Sequence, residues 1–458
     1  MPASRLVCFG CGASPPPDDP FPFRCPRAGR GDVDHVLTRV LDPEQVRFPD
    51  GTASGASPFV HYRGLLHSHH RARAAGVADD ELVELTCRLD DAVARVAGTG
   101  FRATPFRRDG ILSERLGLGG GGDPGTAGGG VWVKDETGNV SGSHKGRHLM
   151  GVLLHLEVAE RLGLADPGAR PDLVIASCGN AALAAAVLAR AADRRLRVFV
   201  PVDADRSVLA GLRELGADVV TCAREPGVDG DPTLQRLRAE VTAGSLPLSC
   251  QGPENGLVVE GGETLAQEVV SDLRVAGTTL DHLVVQVGGG ALASACVQAL
   301  DEAVRLGAIG RAPRVHTVQT TGGHPLERAY HRVRAGLPPT PSAAEVERAM
   351  HRAARHRSRF MWPWEAEPHS LATGILDDET YDWVAVVGGM LATGGHPLVV
   401  TEDRLVEAHD LGHAAGCAVD PTGSAGLAGL LDLVADGTVG PGDRVGVLFT
   451  GVDRSPHG

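Results

Sequence analysis

Lysine is almost missing: of 44 Lys and Arg residues, only Lys134 and Lys145 are lysines, and they stand close together. Arginine takes over surface charge and ion pairing but stays protonated and forms no Schiff base, so a surviving lysine is a candidate for amine chemistry. Acidic residues, 57, outnumber the 44 basic ones. A formal net charge of −13 excludes the basic footprint that nucleic acid or an anionic membrane surface requires, which leaves small molecules as the expected partners. No run of 18 or more apolar residues occurs, so no spanning helix is predicted. The start, MPASRLVCFGCG, lacks the charged-then-apolar pattern of a secretory signal, and a cytoplasmic location is expected. Nine cysteines are an odd number. Six of them (Cys87, Cys178, Cys222, Cys250, Cys296, Cys417) are scattered singly, as small core fillers in a reducing compartment.

The chain has 458 residues, 42% of them hydrophobic and 22% charged, enough for two or three domains and at least one large core. Its 61 glycines predict many tight turns. The first fifty residues are Pro-rich and read as an irregular appendage. Residues 58–97 carry apolar residues at helical spacing and predict two helices, with HSHH (67–70) on a solvated face. The stretch GLGGGGDPGTAGGG (117–130) reads as a flexible loop without chemistry. Beyond it, VWVKDE, DLVIASCGN, RVFVPVDAD, DHLVVQVGGG and RVGVLFTG are short Val-rich runs, and all but the last lead into helical patterns. The fold class is α/β, with parallel sheets covered by helices on both faces. In such sheets ligands bind at the carboxyl ends of the strands.

Four strand ends carry small or polar residues: TGNVSGSHK ending at Lys145, SCGN ending at Asn180, the turn Gly288, Gly289 and Gly290, and FTG around Thr450. The glycine turn opens a helix near Ala291 and Leu292, where free backbone N–H groups suit a phosphate. Gly288, Gly290 and Ala293 also satisfy the loose dinucleotide fingerprint G-x-G-x-x-A. That reading needs an acidic residue ending the next strand, and RVHTVQTT ends in threonines. A phosphate cradle, an isolated lysine beside a Gly/Ser turn and a strand-end Asn together suit pyridoxal phosphate (PLP).

KDETGNVSGSHKGRH resembles the lysine motif of fold-type II PLP enzymes, the tryptophan synthase β superfamily, and is closest in pattern to threonine synthases. ASCGNAALAAA is similar to their S-x-G-N-x-A loop, NGLVVEGGETLAQEV to their N-P-x-x-x-E-G-x-K-T segment, VQVGGGA to their phosphate loop, and VLFTGVDR to their terminal L-T-G. The five segments run in family order from about residue 131 to 454. The resemblance implies a two-domain fold type II. Residues 135–245 form a smaller mobile domain, 51–134 and 246–458 the larger PLP-binding domain, and 1–50 a separate Cys-bearing segment. It also implies that Lys145 is the Schiff-base lysine and then the base that removes the α-proton. Asn180, Gly288, Gly289, Gly290, Ala291, Leu292 and Thr450 would hold the cofactor, and Ser177, Cys178 and Gly179 the substrate carboxylate. A neutral Thr450 at the pyridine nitrogen leaves the ring unprotonated, which suits α-proton removal coupled to loss of a β or γ leaving group.

The expected function is elimination or elimination-replacement on an amino acid, threonine synthase-like. The alternatives are a β-replacement synthase of the cysteine or cysteate type, a serine/threonine dehydratase and, in another class, a non-catalytic binding protein of the same fold. Departures from the threonine synthase pattern are His144 before the lysine, Gly146 after it, and Glu263 where a lysine is usual. A second phosphate site would call on Lys134, Arg147 and His148. At the N-terminus Cys8-x-x-Cys11 with Cys25 resembles the zinc ribbon of some threonine synthases. Asp32 or His35 would have to complete a structural zinc site, and a metal-free knuckle is the alternative. Ala372 to Gly374 resembles the segment that faces the cofactor. Trp362 and Trp364 suit the interface of a homodimer, the common family assembly.

Overall fold

The computed structural model describes residues 2–119, 128–224 and 230–454. Most of the glycine-rich stretch expected as a loop therefore lies outside the described residues. Twelve strands are described: β1 (Ser4–Cys8), β2 (Leu37–Leu41), β3 (Phe106–Asp109), β4 (Gly130–Asp135), β5 (Leu173–Ala176), β6 (Leu196–Pro201), β7 (Asp218–Cys222), β8 (Leu246–Pro247), β9 (His282–Gln286), β10 (Arg314–Thr320), β11 (Pro397–Val400) and β12 (Arg444–Phe449). Each of the five expected Val-rich strands forms. HLVVQ, buried along its whole length, has both faces covered, as a central parallel strand requires.

Two sheets carry the fold. The six-stranded one has the order β11-β10-β9-β12-β4-β3, and the four-stranded one β7-β6-β5-β8. All pairs in them are parallel except β3 with β4 at an edge. The last strand, β12, lies between β9 and β4, with Phe449 opposite Asp135 and Val447 opposite Val284. This crossover brings the carboxyl ends of β4, β9 and β12 together, although they are far apart in sequence.

The helix Val258–Val275 belongs to two cores: Val258 and Val259 pack with β5 and β6, and Leu265, Ala266 and Val270 with β9 and the helix Ala291–Arg305. It crosses the helix Lys145–Arg161 at glycines. A Cβ on Gly261 would lie 2.3 Å from the Arg147 carbonyl oxygen, and one on Gly151 2.8 Å from Gly261 Cα. Only backbone fits there, which explains the glycine of the EGG segment.

Two expectations need correction. The N-terminal fifty residues are no appendage: β1 and β2 pair antiparallel (Ser4 opposite Leu41, Cys8 opposite Leu37) and bury Leu6, Leu37 and Leu41. The HSHH stretch is not a solvated face. It lies in the helix His67–Ala74, where Ser68 and Ala72 are buried, His67 Nδ1 meets Ser4 Oγ at 2.9 Å and the His67 amide donates to Glu260 at 2.8 Å. Its apolar stripe is weak, so polar contacts with β1 and Glu260 replace the hydrophobic signal.

Candidate active site

Lys145 is the first residue of its helix and is half-buried. It follows a turn in which Asn139 caps Val140, Ser141 takes φ +56° and Ser143 pairs with Gly451. The next residue back, His144, donates its amide and its ring Nδ1–H to the Thr450 carbonyl at 3.1 and 3.2 Å. The lysine turn is thereby pinned to the end of β12. Burial, with Lys145 and His148 nearby, holds His144 neutral. Burial and Lys145 likewise bring His148 down to about 3.

Thr450 is 3% exposed and its Oγ1 accepts from Gln286 Nε2 at 2.8 Å, on the neighbouring strand. That bond leaves the Thr450 hydroxyl proton free for an acceptor in the cleft. Gln286 was not anticipated as a site residue, because in sequence it is one more member of a buried strand. Asn180 begins the helix Asn180–Ala191 with Gly179 as its cap. Its Oδ1 accepts from Arg454 at 2.5 Å, and its amide also reaches Asp420. Ser177, Cys178 and Gly179 form the turn before that helix, and Gly179 N approaches Ser177 Oγ at 3.5 Å. Cys178 is exposed there and Cys87 is exposed elsewhere, so neither is a core filler; Cys296 and Cys417 are.

The glycine turn follows β9. Gly290 caps the helix Ala291–Arg305 with φ +96°, a conformation that favours glycine. The first amides of that helix, from Ala291 and Leu292 on, have no intrahelical acceptor, an arrangement that suits an anion. The segment after Ala372 closes over the turn: a Cβ on Gly288 would lie 2.4 Å from Asp377 Oδ2 and 2.8 Å from Ile375 Cα. The Asp382 amide donates to the Gly289 carbonyl at 3.0 Å. Burial pushes Asp377 up to about 6 and Asp382 up to about 7, with Lys145 opposing both.

Orphaned polar atoms occur beside Lys145 in sequence and on the segment that packs over the glycine turn. The buried Ser143 Oγ, His144 Nε2, His148 Nε2, Thr380 Oγ1 and Asp382 Oδ1 have no hydrogen-bond partner. Such groups cost about 1–3 kcal/mol each unless something satisfies them. Together with the free helix amides and the spare Thr450 proton, they fit a polar, phosphate-bearing cofactor.

Lys134, Arg147 and His148 do not form a second phosphate site. Arg147 and Lys134 are fully buried: Arg147 binds Glu136 at 2.8 Å and Glu268 at 2.6 Å, while Lys134 binds Glu268 and the Thr104 carbonyl. His148 donates Nδ1–H to Val258 O at 2.9 Å. Glu263, in place of the usual lysine, is explained by Arg39 of β2, which binds it and also Glu302 at 2.6 Å.

Away from this cleft, Cys8, Cys11, Cys25 and His35 converge, one ligand atom from each lying within 4.8 Å of the others. Cys8 Sγ is 3.6 Å from His35 Nδ1, and Cys11 Sγ is 3.5 Å from Cys25 Sγ. His35 Nε2–H donates to Arg30 O at 3.0 Å, which orients Nδ1 inward. Asp32 is engaged elsewhere, accepting from the Ser358 amide and hydroxyl at 2.8 and 2.7 Å.

A parallel α/β fold with a lysine, a glycine cradle and a strand-end hydroxyl converging between two sheets defines a cofactor-dependent enzyme architecture. Comparison with known proteins gives the family: the description "Pyridoxal-phosphate dependent enzyme" matches residues 121–451. The chain belongs to this family. It is 23% identical over 325 residues to the threonine synthase of Methanocaldococcus jannaschii, a match that covers 70% of this chain and 69% of that one. To the threonine synthase of Mycobacterium tuberculosis it is 26% identical, over 70% and 76%. Cysteine synthase B of Salmonella typhimurium is 29% identical over 125 residues, 27% of this chain and 40% of that one. Among solved structures, the threonine deaminase of Solanum lycopersicum (isoform 2, processed form) aligns with TM-score 0.56 at 16% identity over 83% of this chain and 92% of that one. Diaminopropionate ammonia lyase from Escherichia coli aligns with TM-score 0.57 at 16%, over 81% and 90%. The structural matches establish fold type II. No helix among the described residues is long and apolar enough to cross a membrane.

The cradle supplies a direct test. Gly288→Ala would force Asp377 and the Ile375 backbone away from the turn, and PLP affinity measured by equilibrium dialysis should fall at least about tenfold, the effect of about 1.4 kcal/mol.

Proposed function

We propose that the protein catalyses PLP-dependent elimination, or elimination-replacement, at the β or γ carbon of an amino acid. The observation that carries this is Lys145, at a helix start pinned to Thr450 through His144, with unpartnered buried polar atoms on its neighbours Ser143, His144 and His148. In this reading Lys145 binds the cofactor and then takes the α-proton. The glycine turn with Ala291 and Leu292 holds the phosphate, Asn180 meets the ring oxygen, and Thr450, oriented by Gln286, faces the ring nitrogen. The bound cofactor supplies the electron sink for carbanion chemistry. Ser177, Cys178 and Gly179 take the substrate carboxylate, on a smaller domain (135–245) that closes on the larger one and excludes water. Threonine synthase-like sequence order and a β12-centred sheet support the class. A β-replacement synthase and a dehydratase use the same groups. A homodimer with Trp362 and Trp364 at its interface is part of the same reading, as is a cytoplasmic location.

The test is visible absorption with added PLP. A band near that of a lysine-bound PLP in the parent protein, absent in Lys145→Ala, is the expected result. A colourless parent would remove the proposal.

A structural zinc at Cys8, Cys11, Cys25 and His35 is proposed beside it. Zn–S of about 2.3 Å and Zn–N of about 2.0 Å give tetrahedral edges of roughly 3.4–3.8 Å, and the two spacings quoted above lie in that range. Metal analysis should find about one zinc per chain in the parent and none in Cys11→Ser, with chelation lowering the melting temperature of the parent alone.

A further inference from the structure

The helix Glu402–Ala414 carries His409 and His413, four residues apart and therefore on one face, with ring centroids 4.4 Å apart. Asp453, just past Thr450 in the chain, meets both: its Oδ2 lies 3.5 Å from His409 Nε2 and 3.7 Å from His413 Nε2. One ligand atom from each of the three residues lies within 4.8 Å of the others. The backbone is arranged for this approach. The C-terminal segment runs beside residues 418–420, where the Asp453 amide donates to Ala418 O at 2.9 Å and Val452 pairs with Val419. A Cβ on Gly412 would lie 2.8 Å from Val419 Cγ1, so the bare helix position lets that chain pass close to His413. His409 Nε2 is buried and has no hydrogen-bond partner among the described residues. Asp410 Oδ1 stands 4.0 Å from the other nitrogen of the same ring, which favours the proton there and leaves the Nε2 lone pair towards Asp453. Two acceptors facing each other at 3.5 Å call for a cation between them.

We propose that His409, His413 and Asp453 bind a structural divalent metal of the zinc type, at a site separate from the cysteine cluster and independent of the PLP reading. Zn–N of about 2.0 Å and Zn–O of about 2.0–2.2 Å give tetrahedral edges of roughly 3.3–3.5 Å, close to the 3.5 and 3.7 Å between the ligand atoms here. Two imidazoles with one carboxylate suit zinc and disfavour magnesium and calcium, which take oxygen ligands. In the metal-free protein His413 Nε2–H donates to Val419 O at 3.0 Å. On binding, that proton moves to Nδ1, Nε2 gives its lone pair to the metal, and a water in the fourth position donates to the released Val419 carbonyl. His413 lies in the last turn of its helix, where the dipole favours added positive charge. The ion would fasten this helix to the chain end that carries Thr450, a segment already tied to the lysine turn by the Val452 amide donating to Gly142 O at 2.9 Å.

The experiment titrates Zn²⁺ into the full-length parent, His409→Gln/His413→Gln and Asp453→Asn, and counts bound metal by equilibrium dialysis. All three proteins keep Cys8, Cys11, Cys25 and His35, so any difference between them belongs to the helix site. The parent should hold about one zinc per chain more than the double variant, and excess Mg²⁺ should leave that count unchanged. Asp453→Asn should bind the same zinc at least about tenfold more weakly, since even a lost outer-shell partner costs about 10–100-fold. Zinc should also raise the melting temperature of the parent by more than that of the double variant, because a ligand of the folded state stabilises it. Equal zinc counts in the parent and the double variant, or displacement of the extra zinc by magnesium, would overturn the proposal. Parent-like zinc affinity in Asp453→Asn overturns it as well, and that near-isosteric variant decides alone if the double variant does not fold.

Discussion

Arg147→Ala is expected to remove about 3–5 kcal/mol, a large share of a domain stability of about 5–15 kcal/mol. The side chain is completely buried and meets four partners: Glu136, Glu268, Thr104 and Thr264. Burial alone would raise Glu136, yet Arg147 and Lys134 outweigh it and bring that carboxyl down to about 2. Removing the guanidinium strands Glu136 as a buried anion, with only Lys134 left to serve two carboxylates. The loss therefore comes from the charges left behind more than from the contact removed. Urea unfolding should show the midpoint collapse in Arg147→Ala and a partial return in Arg147→Met/Glu136→Gln, which removes one stranded charge with its partner. A single variant as stable as the parent would show that water or rearrangement neutralises the pocket.

The same network shows what the sequence could and could not disclose. Strand ends at Lys145, Asn180, Gly288 and Thr450 were legible because each couples a Val-rich run to a break in hydrophobicity, a local signal with a local cause. The helix starts at Lys145, Asn180 and Ala291 followed from the same switch of period. Arg147 was legible as a cation near the lysine but not as an inward-facing one. Its partners lie 11 and 121 residues away, and no local pattern encodes such pairing. Gln286 was hidden for a similar reason: its role depends on β12 entering the sheet beside β9. Asp377 was hidden because its segment is irregular and touches Gly288 only through the tertiary fold. The N-terminal pair β1 and β2 was misread, since Pro-rich flanks masked two five-residue strands whose alternate residues are buried. Of the two candidates for the fourth position beside the three cysteines, only the fold separates His35, which joins them, from Asp32, which caps Ser358.

That N-terminal pair has a consequence for stability. Arg39→Leu is expected to cost about 3–5 kcal/mol at pH 8, although the residue lies far from the cleft in sequence. Arg39, 6% exposed, is the cation shared by Glu260 at 3.7 Å, Glu302 at 2.6 Å and Glu263. Even with it in place, burial pushes Glu260 up to about 7 and raises Glu302 and Glu263. A carboxyl whose folded pKa is raised binds more protons folded than unfolded, so stability falls as pH rises from the unfolded value of about 4.3 to the folded one. Without Arg39 the folded values rise further and the fall continues to higher pH. The deficit of Arg39→Leu against the parent should therefore be larger at pH 8 than at pH 5.5, when each is followed by urea unfolding. Restoring the lysine usual at position 263 supplies the missing cation from the helix itself: Arg39→Leu/Glu263→Lys should recover most of the deficit, while Glu263→Lys alone places a second cation against Arg39 and should destabilise. If the double variant is no better than Arg39→Leu, the three carboxylates are not what Arg39 holds in place.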